Sequence, residues 1–203
     1  DNRSDGIRWY TETYGSEFYN VPNYTTNIGK TFFTNVKDIY FGKYIYVIDD
    51  NKFRLFEKDK NCKEVVFANG VDMDDLFFNP TSLVLNSDET SIYVADSFRN
   101  KIYRFDLDFT DTNNPIFTLV VSTGGIGALN DTNKFDYSTD LYFHDDYIFV
   151  LDYNNNCVKQ FSTDLAWVYT YYDDLLQDDQ ISTIAVHKTG LLYVVTKNLK
   201  VHI

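Results

Sequence analysis

Cysteine, histidine and proline are scarce in this chain of 203 residues, which holds two cysteines, three histidines and three prolines. The cysteines, Cys62 and Cys157, have no cysteine or histidine partner at metal-ligand spacing, so the sequence predicts neither a disulfide framework nor a metal site. The few prolines leave long stretches in which β-strands can pair without interruption.

Positive charge is also in short supply, with 18 basic residues against 30 acidic residues and a net charge of -12. A chain of this charge repels phosphate backbones on average, which argues against a nucleic-acid partner. No apolar run approaches the roughly 20 residues that a membrane-spanning helix requires, so we predict no membrane span. The chain shows no signal peptide and begins with Asp1, so we expect a processed chain or a piece of a longer one, in an undetermined compartment.

Aromatic residues are abundant instead, at 18% of the chain, with 17 tyrosines and 17 phenylalanines. These residues are typical of β-strands, whose pleated and half-buried surfaces accommodate them. Together with 44% hydrophobic residues, they supply enough apolar material for a packed core.

One short phrase recurs four times: IYVID at 45–49, IYVAD at 92–96, IFVLD at 148–152 and LYVVT at 192–196. Its valines are 47, 56 and 44 residues apart, a period typical of four-stranded propeller blades. A short apolar strand and a turn precede each copy, while alternating strands and a long polar loop follow it. The phrase is apolar at nearly every position, which predicts a second strand covered on both faces.

The sequence therefore predicts an all-β fold, a β-propeller of four-stranded antiparallel blades with about four blades present. The predicted parts are an outer strand with its loop at 1–32, blades at 33–70, 76–123 and 135–173, and a partial blade at 180–203. The first strand either completes the last blade, closing the ring by strand exchange, or the chain is a fragment of a larger ring.

These repeats resemble the NHL-repeat type of β-propeller over about residues 33–203. The resemblance rests on YVADSFRNKIYRF at 93–105, FVLDYNNNCVKQF at 149–161 and Gly-rich loops such as STGGIGALN at 122–130. It implies a propeller that serves as a scaffold, a ligand platform or, occasionally, an enzyme. The chain departs from the pattern in its first copy, whose hairpin is two residues shorter, and in its last, where Thr196 replaces the aspartate.

The aspartates of the phrase, Asp49, Asp96 and Asp152, have a structural explanation. Where the second strand ends, a carboxylate can accept backbone N–H bonds from the following turn, and Asn100 and Asn156 tolerate the left-handed conformation that such a turn needs. We therefore predict that these aspartates tie the turns.

Catalytic patterns are absent from the sequence. Asp152, Asn154 and Asn156 have the spacing that opens a calcium loop, but Cys157 and Thr163 stand where glycine and glutamate are needed. His144 and His187 fall in turns on the face opposite the long loops, and His202 lies in a third strand, so we do not expect them to share a zinc ion. We predict no catalytic residue, no metal ligand and no cofactor.

One rim of the propeller is predicted to be acidic, because the long loops and the turns after the phrase open on the same side. It is either a docking surface for a basic protein partner or a solvated rim. Arginine and aromatic residues that protrude there are candidate contacts, since these residue types dominate interface energetics. The candidate binding residues are Asp72, Asp74, Asp75, Asp96, Phe98, Arg99, Asp152 and Tyr153.

The leading functional hypothesis is a non-enzymatic propeller, a rigid protein-interaction or structural platform within a larger chain or complex. Intact scaffold positions beside missing catalytic patterns favour it. The residue bias, rich in Asn, Asp, Tyr and Phe, is also typical of phage structural proteins, so a virion component such as a tail or baseplate part is one setting. The alternative is a ligand-binding or calcium-binding propeller enzyme, of the hydrolase or lyase type, that uses the central funnel.

Overall fold

The computed structural model describes residues 35–58, 64–65, 77–112, 115–172 and 179–203. The chain divides into two units, 1–35 and 36–203, and all the strands given below belong to the second. The outer strand predicted within 1–32 lies outside the described residues. Among the residues that are described, no helix is long and apolar enough to cross a membrane.

The second unit is a β-propeller with four antiparallel sheets, each forming one blade, so the predicted fold class is confirmed. The strands of the first two blades are β1 (Val36–Phe41), β2 (Ile45–Asp49), β3 (Lys52–Phe56), β4 (Glu64–Val65), β5 (Pro80–Leu85), β6 (Ser91–Asp96), β7 (Lys101–Asp108) and β8 (Ile116–Gly124). Those of the last two are β9 (Ser138–His144), β10 (Tyr147–Asp152), β11 (Cys157–Ser162), β12 (Trp167–Tyr171), β13 (Ile181–Val186), β14 (Leu192–Thr196) and β15 (Val201–His202). In each sheet, neighbours in sequence are neighbours in space, and the last sheet has three strands within the described residues.

The repeated phrase forms the second strand of each blade. In the first three blades it is covered on both faces as predicted, whereas in the fourth β14 is only partly buried. Every residue of β2 and β6 is buried. Because successive side chains of a strand point to opposite faces, the second strands of the two middle blades, β6 and β10, each contribute to two cores. In β6, Ile92 and Val94 pack toward the first blade, while Tyr93 and Ala95 pack toward the third.

Aromatic stacking fills the core between the first two blades. Phe117 lies between Phe53 and Phe105, with ring centroids 5.1 Å and 4.4 Å away. A second core joins the middle blades, and a third, around Phe149 and Ile184, joins the last two. Each pair of adjacent blades thus shares an apolar core, as expected in repeat architectures.

The inner strands β1, β5, β9 and β13 contact one another in that order. They form what we call the inner wall of the propeller. Since β1, β5, β9 and β13 all run in the same direction, equivalent positions of the four blades lie at the same depth along this wall.

Candidate functional site

The strand register defines one face of the propeller, which we call the loop face. There each inner strand begins and each second strand ends, so the turns after the phrase lie beside the segments that lead into the inner strands. The pairs that meet at this face are Val36 with Asp49, Pro80 with Asp96, Ser138 with Asp152, and Ile181 with Thr196.

The phrase aspartates stabilise the loop face. Asp96 accepts backbone N–H bonds from Phe78 and Asn79 at 2.8 and 3.1 Å, and from Arg99 at 3.3 Å. Asp152 accepts one from Asp136 at 2.7 Å. The sequence predicts that these aspartates accept backbone hydrogen bonds from the turn after the phrase. Most of the donors instead lie in the segment before the inner strand, and the turn supplies the N–H of Arg99. These carboxylates therefore fasten the incoming loop of their own blade.

In the first and last blades, the residue at the end of the phrase has different partners. Asp49, at the shorter hairpin, forms an ion pair with Arg54 at 2.9 Å, and Arg54 also binds Glu64 at 2.8 Å. In the last blade the hydroxyl of Thr196 donates to Asp179 at 2.7 Å, so the carboxylate comes from the preceding loop. The missing aspartate of the fourth copy is thus supplied from elsewhere in the chain.

Asn100 and Asn156 have the left-handed backbone predicted for them, with φ of 52° and 50°. Each side-chain oxygen also accepts a backbone N–H from the next blade, from Tyr137 at 2.6 Å and from Ile181 at 2.8 Å. These asparagines therefore tie consecutive blades together at the loop face, a role that the sequence alone did not predict.

Replacing Asn100 by glycine should lower the free energy of unfolding by about 1–2 kcal/mol, the cost of leaving the Tyr137 N–H without its acceptor. Glycine keeps the left-handed backbone, whereas Asn100→Ala adds strain and should cost more. Urea denaturation measures both variants. Equal stability of Asn100→Gly and the parent protein would show that the interblade bond contributes nothing.

Four aromatic side chains form a continuous line on the loop face, which we call the aromatic row. Phe78 and Phe98 have ring centroids 5.7 Å apart, Phe98 and Tyr137 6.3 Å, and Tyr137 and Tyr153 6.2 Å. The ammonium of Lys197 lies 5.0 Å from the centroid of Tyr153. The row therefore extends across the second and third blades and meets a cation of the fourth.

The predicted rim residues separate into two groups. Phe98 is 60% exposed, Arg99 is exposed and Tyr153 is partly exposed. Asp96 and Asp152 are fully buried, which makes them supports rather than contact residues. The remaining candidates, Asp72, Asp74 and Asp75, lie outside the described residues. The assignment of a binding surface to this rim stays a prediction.

Lys159 is a fully buried cation beneath the loop face. Its ammonium lies 2.9 Å from the Asp152 carboxylate and donates to the carbonyls of Asp131 and Lys134 at 3.0 and 2.5 Å. A buried charge needs such compensation, because leaving water without it is costly. The interaction pins the Gly-rich loop before β9 against the third blade.

Cys157 is a free, buried thiol beside the same carboxylate. Burial raises the pKa of Cys157 to about 12, and the negative charge of Asp152 adds to that effect. The thiol therefore stays protonated at neutral pH and is a poor nucleophile. Cys62 lies outside the described residues.

A second cluster of polar side chains lies on the inner wall, at equivalent positions of the four inner strands. We call these residues the carboxylate belt: Asp38, Ser82, Asp140 and Thr183. Acidic and hydroxyl side chains alternate from blade to blade along it. None of the four was singled out from the sequence.

Each carboxylate of the belt binds the next blade. Ser82 Oγ and the backbone N–H of Leu83 donate to Asp38 Oδ2 at 3.0 and 2.8 Å. Thr183 Oγ1 donates to Asp140 Oδ2 at 2.8 Å. The backbone N–H of Leu141 in turn donates to Ser82 Oγ at 3.3 Å. The belt is a hydrogen-bonded line that runs across all four blades.

The two carboxylates have different surroundings. Burial raises the pKa of Asp38 above its ordinary value, the hydrogen bonds from Leu83, Ser82 and Ile39 oppose that effect, and the charge of Asp140 adds to it. The bond between Thr183 and Asp140 is solvent-exposed, whereas the bond between Ser82 and Asp38 is partly buried. A pair of carboxylates in unlike environments can divide the roles of acid and base.

The remaining candidates for chemistry do not converge. His144 ends β9, His187 follows β13 at the opposite face from the loop face, and His202 lies in β15. In the segment whose spacing resembles a calcium loop, the side chain of Asn156 is hydrogen-bonded to the next blade. The carboxylate of Asp152 accepts a hydrogen bond from Asn155 at 2.9 Å. Over the described ranges, no group of three or more His, Cys, Asp or Glu side chains could hold a metal ion.

A signal for the belt was present in the sequence. The inner strands of the first and third blades contain DIYF at 38–41 and DLYF at 140–143, and both place a tyrosine two residues after the aspartate. Tyr40 and Tyr142 interact electrostatically, and burial, Glu89 and Tyr142 all raise the pKa of Tyr40. The aromatic row is harder to detect, because Phe78 and Tyr137 lie in loops without a common spacing.

Comparison with known proteins supports the fold alone. No protein-family model and no curated protein matches the chain. Among solved structures, the β-propeller domain of Myceliophteria thermophila Cps50 (Swd1) is similar with a TM-score of 0.60 and 12% identity, over 81% of this chain and 51% of that chain. The periplasmic gluconolactonase of Pseudomonas aeruginosa gives 0.59 and 13%, over 81% and 47%, and a streptogramin B lyase gives 0.54 and 12%, over 83% and 53%.

The chain spans about half the length of these solved propellers, as the covered shares of 51%, 47% and 53% show. The predicted propeller is confirmed, while its NHL type stays a prediction. The leading hypothesis of a non-enzymatic platform is contradicted, because enzymes, among them the lyase and the gluconolactonase, are found among the similar structures. At 12–16% identity these structures show the fold, and the enzyme status of this chain is not established.

Proposed function

We propose that this chain forms the catalytic wall of a ligand-binding propeller enzyme of the hydrolase or lyase type, with Asp38 and Asp140 as its acid–base pair. The observation that carries the proposal is the carboxylate belt. It places two aspartates at the same depth of the inner wall, one with a pKa raised by burial. Solved propellers of similar fold that are enzymes support the reaction class.

The unlike surroundings assign the roles. Asp38, which burial holds protonated to a higher pH than an ordinary carboxyl group, donates a proton to the leaving group. Asp140, whose bond to Thr183 is exposed to solvent, is the base that accepts a proton from water or from the carbon next to a carbonyl. Hydrolysis and elimination both need such a donor and acceptor in one site.

Substituting either carboxylate should lower kcat about 100-fold, the lower end of what general acid–base catalysis contributes. Asp38→Asn and Asp140→Asn remove the proton-transfer group with little change of shape. The assay uses the purified full chain with a panel of esters, lactones and glycosides. Asp146→Asn, a change at an exposed turn residue, is the matched control and should leave kcat unchanged.

The pH profile distinguishes catalysis from a purely structural role. Because the donor must be protonated, activity should fall as pH rises through the raised pKa of Asp38. The pH profile of Asp38→Asn should lack this decrease. Ser82→Ala removes a hydrogen bond of the belt but keeps the carboxyl group of Asp38. This variant should therefore change stability and still lose activity as the pH rises. Turnover of no compound in the panel, or full activity in a folded Asp38→Asn variant, would refute the proposal.

A further inference from the structure

The aromatic row has no part in the proton transfers just proposed, yet it is a conspicuous surface. Phe78 and Phe98 are 63% and 60% exposed. Single exposed apolar residues are ordinary, whereas a continuous exposed patch marks a site of interaction. The row also lies where the inner strands begin, at the mouth of the inner wall.

The backbone holds the row in place before any ligand arrives. Phe78 is fixed by Asp96, and Tyr153 N donates to the carbonyl of Tyr137 at 3.2 Å. Tyr137 itself has a positive φ of 61°, a conformation that is costly for an aromatic residue. Its N–H is held at 2.6 Å by Asn100. A surface fixed in this way loses little entropy on binding.

The arrangement of the rings indicates the shape of the ligand. Planes of successive rings are inclined by 72°, 73° and 67°, so the row presents separate facets rather than one flat groove. Separate facets fit a chain of ring-shaped units, each packing one apolar face on one aromatic ring. A polyproline helix instead docks into a continuous groove lined by aromatic side chains.

The polar surroundings indicate a neutral ligand with hydroxyl groups. Lys197 lies over the ring of Tyr153, and Arg99, which follows Phe98 in sequence, lies 3.9 Å from the Asp96 carboxylate. The carboxylate of Asp136 binds the amide of Asn154 at 3.0 Å. Charges of both signs give little preference for an ion, and the net charge of -12 disfavours a polyanion. Amide, carboxylate and ammonium groups together can bond hydroxyls as donors and as acceptors.

We propose that the aromatic row binds a neutral oligosaccharide and guides it to the inner wall. This proposal rests on the proposed function, which places the reaction at the inner wall, and it adds the class of ligand. Each sugar ring would stack its C–H face on one aromatic ring, and its hydroxyls would meet the flanking polar side chains.

Affinity electrophoresis of the full chain in gels containing soluble glucan, xylan, mannan or chitin oligomers tests this proposal. At least one of these saccharides should retard the protein. Phe98→Ala and Tyr153→Ala should each weaken that retardation about tenfold, the loss expected for aromatic residues at the centre of a binding surface. Tyr169→Ala, which removes a 55% exposed aromatic ring from the outer strand β12, is the control and should bind as the parent does.

Retardation by none of the saccharides overturns the proposal, as does an equal loss in Tyr169→Ala. A ten-residue polyproline peptide that binds in their place, with its affinity lost in Phe98→Ala, would assign the row to a peptide instead. Asp38→Asn separates this proposal from the acid–base proposal, because it should lower kcat about 100-fold and leave retardation intact. Retardation without turnover by the parent protein would therefore refute the chemistry alone.

Discussion

Replacing Lys159 by methionine should destabilise the protein by about 3–5 kcal/mol, the usual cost of removing one partner from a buried ion pair. Methionine retains much of the volume of the side chain, so the loss comes mainly from charge. Asp152 would stay buried without its cation, and the carbonyls of Asp131 and Lys134 would lose a donor. Guanidinium denaturation monitored by circular dichroism measures the change.

The controls isolate the charge effect. Lys188→Met changes an exposed lysine and should alter stability by less than about 0.5 kcal/mol. The double variant Lys159→Met with Asp152→Asn should be more stable than Lys159→Met alone, since the amide carries no buried charge. A cost under about 1 kcal/mol for Lys159→Met would mean that the pair contributes little to folding.

The same lysine connects stability to the proposed ligand surface. The loop that Lys159 pins runs from Gly125 to Tyr137 and is closed by a bridge between Ile126 and Phe135. Tyr137 is a member of the aromatic row, so loosening this loop should also weaken saccharide binding. The surface at the mouth of the inner wall thus depends on an ion pair that lies beneath it.

The fold could be predicted because the feature that specifies it is local. The phrase IYVAD and its copies in the first and third blades are apolar because those second strands are buried on both faces, and the period between copies is the length of a blade. Left-handed backbone at Asn100 and Asn156 was predictable for the same reason, since a turn depends on few neighbours. The bonds of these residues to the next blade depend on tertiary contacts, which no single repeat contains.

The candidate site could not be assembled from the sequence, because its residues are distant in the chain. Asp38 lies in the first blade and Asp140 in the third, and each resembles an ordinary polar residue of an inner strand. Histidine clusters and compact catalytic motifs are absent from the sequence, and the hypothesis of a non-enzymatic platform, which rests on that absence, is wrong. Comparison of DIYF with DLYF, at the same position of two blades, was the available signal.

Alanine at Gly124 should cost about 4 kcal/mol, and alanine at the adjacent Gly125 only about 1–3 kcal/mol, which separates steric overlap from backbone strain. Both glycines have positive φ, 127° and 114°, so a side chain strains the backbone at either position. A Cβ at Gly124 would lie 2.2 Å from the carbonyl oxygen of Asn100, whereas one at Gly125 would meet nothing within 4 Å.

The obstructing atom is backbone, so it cannot rotate away as a side chain would. The Asn100 carbonyl also accepts the Gly125 N–H at 2.6 Å, and Asn100 holds Tyr137 of the next blade. Relief of the overlap must therefore shift the turn between β6 and β7, whose Asn100 is hydrogen-bonded to the third blade. Thermal unfolding of the two variants under identical conditions measures the difference. If both alanines cost the same, strain alone explains the glycines, and the close approach of β8 to the turn after β6 has no energetic consequence.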